Sequence, residues 1–308
     1  MRIAVVGAGG VGGYFGSQLA ANGEDVVFVA RGAHGAAIRE HGLLVRSDEH
    51  PQHLTSPNVV ESVDRVEEAE LVVLAVKLWD TDDVARSLAP LAEAGAAVVS
   101  LQNGVQKDDV LRRYLPRESI LGGACYISAF IESPGVIAHH GALQRIVLGE
   151  YDRTRSDRVL DIVARCRAAG INAEASDDIE RELWEKYVFL VGMSALTSAT
   201  RLTMGPIRAN HETRRLLAEV MAEAVAVGRA RGVHLDDGLV AERLAFIDTV
   251  APGMTSSMAN DLAEGRRLEL PWLSGGVVSL AAEDGIGVPA NRTIAALLAP
   301  YVDGGVAA

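Results

Sequence analysis

A glycine-rich segment directly after a short apolar run constrains this chain more than any other feature. The run Ile3–Val6 predicts a buried β-strand, and a helix is predicted from Tyr14 to Asn22. The residues between them allow a tight turn and a close approach of the backbone to a ligand, while the helix amides favour an anion there. The pattern therefore predicts a βαβ unit that holds the pyrophosphate of a dinucleotide, the alternative being a turn without a ligand. The predicted contacts are Gly7, Gly9, Gly10, Val11 and Gly12.

The end of the second predicted strand, Asp25–Ala30, indicates which dinucleotide is bound. Chains that bind NAD place a carboxylate near this point to accept hydrogen bonds from a ribose hydroxyl. This chain has Arg31 there instead, followed by Gly32. A guanidinium suits a 2′-phosphate because it can donate two parallel hydrogen bonds. We therefore predict NADP(H) as the cofactor, the alternative being that Arg31 is a solvated loop residue.

Composition excludes several classes of partner. The 308 residues have room for two domains, and the net charge of −12 argues against nucleic acid or an anionic membrane. No apolar stretch approaches the ~20 residues that span a bilayer, and we expect no signal peptide. The two cysteines, Cys125 and Cys166, fit a reducing compartment and form no metal-binding pattern, so we predict a cytoplasmic protein without a metal.

The order of predicted elements indicates an α/β protein with two domains. Strands and helices alternate through the first half, which is typical of a doubly wound parallel sheet, and residues 135–139 and 144–149 are predicted to form an antiparallel hairpin. Helices alone are predicted after Ser176. The fold class is therefore an N-terminal doubly wound, Rossmann-type domain (1–176) followed by an all-helical C-terminal domain (177–308). A frayed tail is expected from Asp303 to Ala308.

Polar side chains follow two of the later strands. Lys77 comes after the strand Leu71–Val76, and Asn103 follows the strand Ala96–Leu101 and residue Gln102. Ligands bind outside the carboxyl ends of strands in doubly wound sheets, so both side chains are candidates for the cofactor or substrate site. The alternatives are a solvated lysine at a helix start and an Asn-Gly turn.

A lysine stands out in the helical half. Lys186 lies at the start of the apolar run Tyr187–Val191. Desolvation lowers the pKa of an ammonium group and makes it a proton donor near neutral pH. The alternative is a lysine on the surface of a helix.

Taken together, these motifs resemble the ketopantoate reductase (2-dehydropantoate 2-reductase) family over nearly the whole chain. The family's order and spacing recur in the glycine-rich segment, Arg31, Val76–Trp79, Gln102–Gly104, Glu182–Lys186, Ser256–Met258, and Glu269 with the helix after it.

The resemblance implies reduction of a 2-oxo acid to a 2-hydroxy acid by NADPH, within pantothenate biosynthesis. It implies that Lys186 is the general acid, that Glu269 contacts the hydroxyl end of the substrate, and that Ser257 helps to hold its carboxylate. Lys77 and Asn103 would lie where cofactor and substrate meet. Chemistry agrees, because hydride arriving at a carbonyl carbon leaves negative charge on oxygen, which an ammonium stabilises and protonates. Glu269 precedes Pro271, so we expect a helix dipole to keep its carboxylate ionised. Ser257 and Glu269 could also be ordinary helix-start residues.

One departure bears on the substrate. The family has asparagines four and eight residues after the lysine, whereas this chain has Leu190 and Ser194. Met254 replaces a frequent asparagine three residues before Ser257. We therefore predict a more apolar substrate site lined by Leu190 and Ser194, unless Leu190 is simply part of the core.

The leading hypothesis is a ketopantoate reductase that forms pantoate, with no nucleic-acid or membrane partner. One alternative is a relative that reduces a more apolar 2-oxo acid. Another is a non-catalytic NADP(H)-binding redox sensor, against which Lys186, Glu269, Ser257 and Asn103 count. A third is a dehydrogenase of amine or opine type, against which the segments Glu182–Lys186 and Ser256–Met258 count. Formation of a homodimer is left open.

Overall fold

A computed structural model describes residues 1–305, and the last three residues of the expected frayed tail lie outside this range. The chain divides into two compact units. The first comprises Met1–Asn103 and Lys107–Ile179, and the second comprises Gly104–Gln106 and Glu180–Ala308. The predicted boundary at Ser176 lies in the connection between the last strand and the long helix that opens the second unit.

The first unit is an α/β structure with ten strands and five helices. The strands are β1 (Arg2–Val6), β2 (Asp25–Val29), β3 (Leu43–Arg46), β4 (Gln52–Leu54), β5 (Asn58–Val60), β6 (Leu71–Leu74), β7 (Ala97–Ser100), β8 (Ile120–Ser133), β9 (Val136–Gly149) and β10 (Asn172–Ala175). The helices are α1 (Gly10–Ala21), α2 (Gly32–His41), α3 (Thr81–Glu93), α4 (Lys107–Leu111) and α5 (Asp157–Ala168).

The order of the parallel strands confirms the doubly wound prediction. Six strands lie in the order β5-β2-β1-β6-β7-β8, all in parallel pairs, which is the order of dinucleotide-binding sheets. β1 buries Ile3 and Val5 in one apolar cluster and Ala4 and Val6 in another, so both faces of the sheet are covered. This explains why its strands are continuous apolar runs rather than alternating ones. The sequence had not predicted β5.

The register places four strand ends at one edge. Val6, the last residue of β1, pairs with Val29 of β2 and Leu74 of β6, and Leu74 pairs with Ser100 of β7. The segments that follow these four ends carry the glycine loop, Arg31, Lys77 and Asn103. The sheet therefore brings the predicted cofactor residues of this unit to one edge.

The predicted hairpin between residues 135–139 and 144–149 is wrong, because both segments belong to the single strand β9. β9 pairs antiparallel with β8 along most of the length of both strands. The hairpin turn is Pro134-Gly135, where Gly135 has a φ of +79°. Gly141, which lies between the two predicted arms, also has a positive φ, but it lies within the strand.

The second unit contains seven helices among the described residues. They are α6 (Ile179–Thr200, whose first residue lies in the first unit), α7 (Met204–Ala209), α8 (His211–Ala230), α9 (Leu239–Thr249), α10 (Ser257–Ala263), α11 (Ser274–Glu283) and α12 (Pro289–Leu298). The helical character is confirmed, although α7 and α12 were not predicted. Gly232, Gly265 and Gly285 follow helix ends and have positive φ angles, as expected for C-terminal glycines. No helix within residues 1–305 is long and apolar enough to cross a membrane.

Glu24, just before β2, forms ion pairs with the N-terminal ammonium and with Arg165 of α5. Its carboxylate lies 2.8 Å from the N-terminal ammonium and 3.1 Å from Arg165. Burial raises the pKa of Glu24, but hydrogen bonds from these two cations outweigh burial and lower it. The ionised form is therefore more favourable in the folded chain than in the unfolded chain.

We expect Glu24→Gln to lower the Tm at neutral pH. Because the folded pKa is depressed, the stabilisation by Glu24 is present above the unfolded pKa of about 4.3 and is lost as the pH falls through the folded pKa. The Tm difference between parent and variant should therefore shrink below about pH 4. Thermal melts from pH 7 to pH 3 test this, with exposed Glu93→Gln as the control. A difference that stays constant with pH would contradict the assignment.

Candidate active site

The glycines of the glycine-rich segment meet two different requirements. Gly7 has a φ of +98°, and a Cβ on it would lie 2.7 Å from the amide nitrogen of Val76. A Cβ on Gly12 would lie 2.2 Å from the carbonyl oxygen of Gly7. For a Cβ on Gly9, in contrast, the nearest atom is 4.0 Å away, in Ile131. Packing of the protein therefore explains Gly7 and Gly12, whereas Gly9 leaves open space where a phosphate can approach the backbone.

Helix α1 begins at Gly10, four residues earlier than predicted, with Gly9 as its N-cap. The amides of its first turn therefore lie within the glycine loop, at the end of a helix that favours an anion. The outer half of β8 flanks this turn, since a Cβ on Gly10 would meet the carbonyl oxygen of Ala129 at 2.2 Å. The sequence had not indicated that Ala129 and Ile131 lie beside the loop, and these contacts join residues far apart in the chain.

Arg31 is the N-cap residue of α2, and 75% of its side chain is exposed. Its guanidinium lies 2.8 Å from a carboxylate oxygen of Asp80, in the segment between β6 and α3. An exposed ion pair contributes little stability, so a phosphate can replace Asp80 at small cost. Asp80 is a neighbour that the sequence had not singled out.

Lys77 and Asn103 lie in the connections after β6 and β7. Lys77 is exposed, and its ammonium lies 5.6 Å from the centre of the Trp79 ring, within reach of a cation–π contact. Asn103 is half-buried, and the next residue, Gly104, has a φ of +82°, so the Asn-Gly turn is present. A turn does not exclude a binding role for the side chain of Asn103.

Helix α6 carries three of the predicted residues on one face. Lys186, Leu190 and Ser194 follow one another at intervals of four, which places them in one row. Lys186 and Leu190 are half-buried, whereas Ser194 has no exposed surface. The hydroxyl of Ser194 has no hydrogen-bond partner within residues 1–305. Leu190 also packs against the helical core, as the alternative interpretation expected.

The row continues to the start of α10. Thr197 is three residues after Ser194, and its hydroxyl donates to the carbonyl oxygen of Met193 at 2.7 Å. Because this bond uses the hydroxyl proton of Thr197, the hydroxyl of Ser256 must be the donor in the 2.8 Å hydrogen bond between the two side chains. The oxygen of Ser256 also accepts a hydrogen bond from the amide of Ala259. Ser257, the next residue, is exposed at the first position of α10. The buried pair Thr197–Ser256 therefore fixes Ser257 relative to α6.

Glu269 is buried, but it does not lie at the start of an α-helix. A 3-10 turn, Leu270–Trp272, follows it, and α11 begins only at Ser274. The expected action of a helix dipole on Glu269 is therefore wrong. Gly104 packs against this same turn, with a Cβ position 3.6 Å from the carbonyl oxygen of Trp272. Gly104 and this turn both belong to the second unit.

Lysine usage was a signal that sequence reasoning missed. Of the 29 basic residues other than histidine, all are arginine except Lys77, Lys107 and Lys186. An arginine side chain does not release its proton in proteins, whereas a lysine can. A lysine among so many arginines is therefore a candidate for chemistry that arginine cannot perform. Lys107 was overlooked, and it is fully buried beside Asp108 at the start of α4.

Comparisons with known proteins identify the family of this chain. The family model "Ketopantoate reductase PanE/ApbA" matches residues 3–153, and its C-terminal counterpart matches residues 178–302. The 2-dehydropantoate 2-reductase of Halobacterium salinarum is 32% identical over 299 residues, covering 97% of this chain and 98% of that protein.

Solved structures show the same relationship. The crystal structure of 2-dehydropantoate 2-reductase from Geobacter metallireducens is similar with a TM-score of 0.90 and 31% identity, covering 97% of this chain and 99% of that one. A D-mandelate dehydrogenase in a ternary structure with NADH and anilino(oxo)acetate has a TM-score of 0.89 at 22% identity, covering 98% of each chain, and shares the fold. The chain belongs to the ketopantoate reductase family and is an NADP-dependent oxidoreductase.

Proposed function

We propose that this enzyme reduces 2-dehydropantoate (ketopantoate) to pantoate with NADPH, and that Lys186 is the general acid. The observation that carries the proposal is the placement of Lys186, which is half-buried on α6 and opens the row that leads to Ser194 and the Thr197–Ser256 pair. A redox sensor needs the cofactor site of the first unit but has no use for this row.

The residues at the sheet edge fit a dinucleotide. The open side of Gly9 and the first-turn amides of α1 suit the pyrophosphate, and Arg31 suits a 2′-phosphate. Lys77 and Asn103 lie after neighbouring strands at the same edge, where the reactive end of a cofactor meets its substrate in such sheets.

The chemistry requires one hydride and one proton. A bound reduced nicotinamide would supply the hydride for the carbonyl carbon of the 2-oxo acid. Lys186 stabilises the negative charge that develops on the carbonyl oxygen and donates a proton to it, which completes the 2-hydroxy acid. The neutral amine of Lys186 then regains a proton from water.

The other predicted residues orient the substrate. Ser257, exposed at the first position of α10, can donate a hydrogen bond from its hydroxyl to the substrate carboxylate. Glu269 can accept a hydrogen bond from the terminal hydroxyl of ketopantoate, and Asn103 can bond the cofactor amide or a substrate oxygen.

A second candidate substrate is a more apolar 2-oxo acid. Leu190 is half-buried on the same face as Lys186 and presents methyl groups where the family has an amide. The fold alone does not decide, since a D-mandelate dehydrogenase has it too. Turnover of a panel of 2-oxo acids, followed at the NADPH absorbance band, separates these candidates. Absence of turnover with every acid, together with tight NADPH binding, would favour a redox sensor instead.

We expect Arg31→Ala to raise the KM for NADPH by about tenfold, because a charge-assisted contact to the 2′-phosphate is lost. The KM for NADH, which lacks this phosphate, should change by less than about threefold. Steady-state kinetics with both cofactors test this. Asp80→Asn is the matched control, since it removes the partner of Arg31 but keeps the guanidinium. Equal KM values for the two cofactors in the parent enzyme would rule out the assignment.

A further inference from the structure

The side chain of Gln102 is buried at the edge where the predicted cofactor residues meet. It is 6% exposed, and its carboxamide makes three hydrogen bonds. The nitrogen donates to the carbonyl oxygen of Val76 at 2.9 Å and to the hydroxyl of Thr81 at 2.8 Å. The oxygen accepts from the hydroxyl of Ser100 at 2.9 Å. Because a carbonyl oxygen can only accept, the bond to Val76 fixes which end of the carboxamide is the nitrogen.

These bonds join two separate connections of the sheet. The carbonyl of Val76 belongs to the peptide bond that leads into Lys77, after β6. Thr81 begins α3, at the other end of the same connection. The backbone of Gln102 leads directly into Asn103, after β7. One carboxamide therefore couples the backbone position of Lys77 to that of Asn103.

Lys107 holds the other end of the loop that starts at Asn103. Its ammonium is fully buried and donates to the carbonyl oxygen of Ser100 at 3.0 Å and to Asp108 at 2.8 Å. Ser100 is thus bound through its hydroxyl by Gln102 and through its carbonyl by Lys107. Gln102 and Lys107, which flank residues 103–106 on either side, both bind Ser100 at the end of β7. These bonds restrict where Asn103 can lie.

We infer that Gln102 is a positioning residue, which acts through Lys77 and Asn103 and does not itself touch cofactor or substrate. This inference rests on the proposed function, because it takes Lys77 and Asn103 as contacts of the cofactor and substrate. Buried groups with all their hydrogen bonds made hold a backbone in one arrangement, and loss of a single partner loosens it. Val76 and Gln102 directly precede Lys77 and Asn103, so we expect the network to act mainly through these two contacts.

The test is a comparison of Gln102→Met in two backgrounds. In the parent enzyme we expect kcat/KM for NADPH to fall about tenfold, because methionine keeps the length of the side chain and makes none of the three bonds. In the double variant Lys77→Ala, Asn103→Ala we expect Gln102→Met to cost less than about twofold, since residues that act through one another have non-additive effects. Thr81→Val, which removes only one bond, should show the same non-additivity with a loss of about threefold.

A stability control separates positioning from general damage. Cys166→Ala removes a buried side chain from α5, which carries none of the predicted site residues, and should lower the Tm without changing kcat/KM. If Gln102→Met and Thr81→Val cost the same in both backgrounds, the inference about Gln102 is overturned while the proposed site stands. If Lys77→Ala and Asn103→Ala have no effect of their own, the proposed site fails and the inference with it.

Discussion

Lys186→Ala should lower kcat by about 10²–10⁴, the usual range for the loss of a general acid. The hydride can still reach the carbonyl carbon, but the developing oxyanion then lacks the ammonium of Lys186, which would stabilise its charge and protonate it. The affinity for NADPH should change little, because the predicted cofactor contacts belong to the first unit and Lys186 to the second. Single-turnover kinetics and NADPH fluorescence titration measure the two quantities separately.

Two further variants make this result specific. Lys186→Arg keeps the positive charge but cannot release a proton, so we expect partial recovery of substrate binding without recovery of kcat. Arg215→Ala removes a largely exposed cation from α8 in the same unit and should leave kcat unchanged. If turnover in Lys186→Ala stays within a few-fold of the parent, the proton comes from another group and Lys186 is not the acid.

Leu190→Asn should shift substrate preference toward ketopantoate by about 10–100-fold in the ratio of kcat/KM values. The comparison substrate is 2-oxoisovalerate, which lacks the terminal hydroxyl. An apolar wall discriminates weakly between the two, whereas an amide that bonds the hydroxyl rejects the analogue without it. The parent enzyme should accordingly favour ketopantoate by less than about tenfold.

The burial of the two positions makes Leu190→Asn a better test of substrate preference than Ser194→Asn. Ser194 has no exposed surface, so Ser194→Asn must fit extra atoms into a packed helix face and carries a cost in stability. Leu190 is half-buried and can be replaced with less strain. Leu190→Met, which keeps volume and apolar character, is the matched control and should leave the preference unchanged. A strong parent preference for ketopantoate that Leu190→Asn does not alter would show that Leu190 is only core and that Glu269 alone holds the hydroxyl.

The sequence by itself was sufficient for features that depend on neighbouring residues. The glycine loop could be predicted because its turn, its close approaches and the helix after it lie within a few residues of Gly7. The family resemblance then identified Lys186, Ser257 and Glu269 as candidates, and the residues that replace the family's asparagines were visible at Leu190 and Ser194. The face that these two share with Lys186 follows from helix geometry alone.

Other features were decided only by tertiary structure, because they join residues that are far apart in the chain. β8 and β9 are joined by a turn at Pro134-Gly135, whereas Gly141, a second glycine with a positive φ, lies within β9. The bond between Thr197 and Ser256 spans 59 positions and links α6 to the start of α10. No periodicity or motif in the sequence predicts such a contact, because a serine or threonine hydroxyl can bond to many different partners.

Gln102 illustrates the same limit at the scale of one side chain. In the sequence it is a polar residue after a strand, which is equally typical of a solvated loop. The parallel register of β6 and β7 places Gln102 opposite Val76, which lies 26 positions earlier in the chain. The side-chain nitrogen of Gln102 can therefore donate to the carbonyl oxygen of Val76. The sequence therefore determined which residues reach the edge of the sheet. The sheet brings distant backbone groups within hydrogen-bond distance and buries them. Only this tertiary arrangement decided that Gln102 holds the backbone at Lys77 and Asn103 in place.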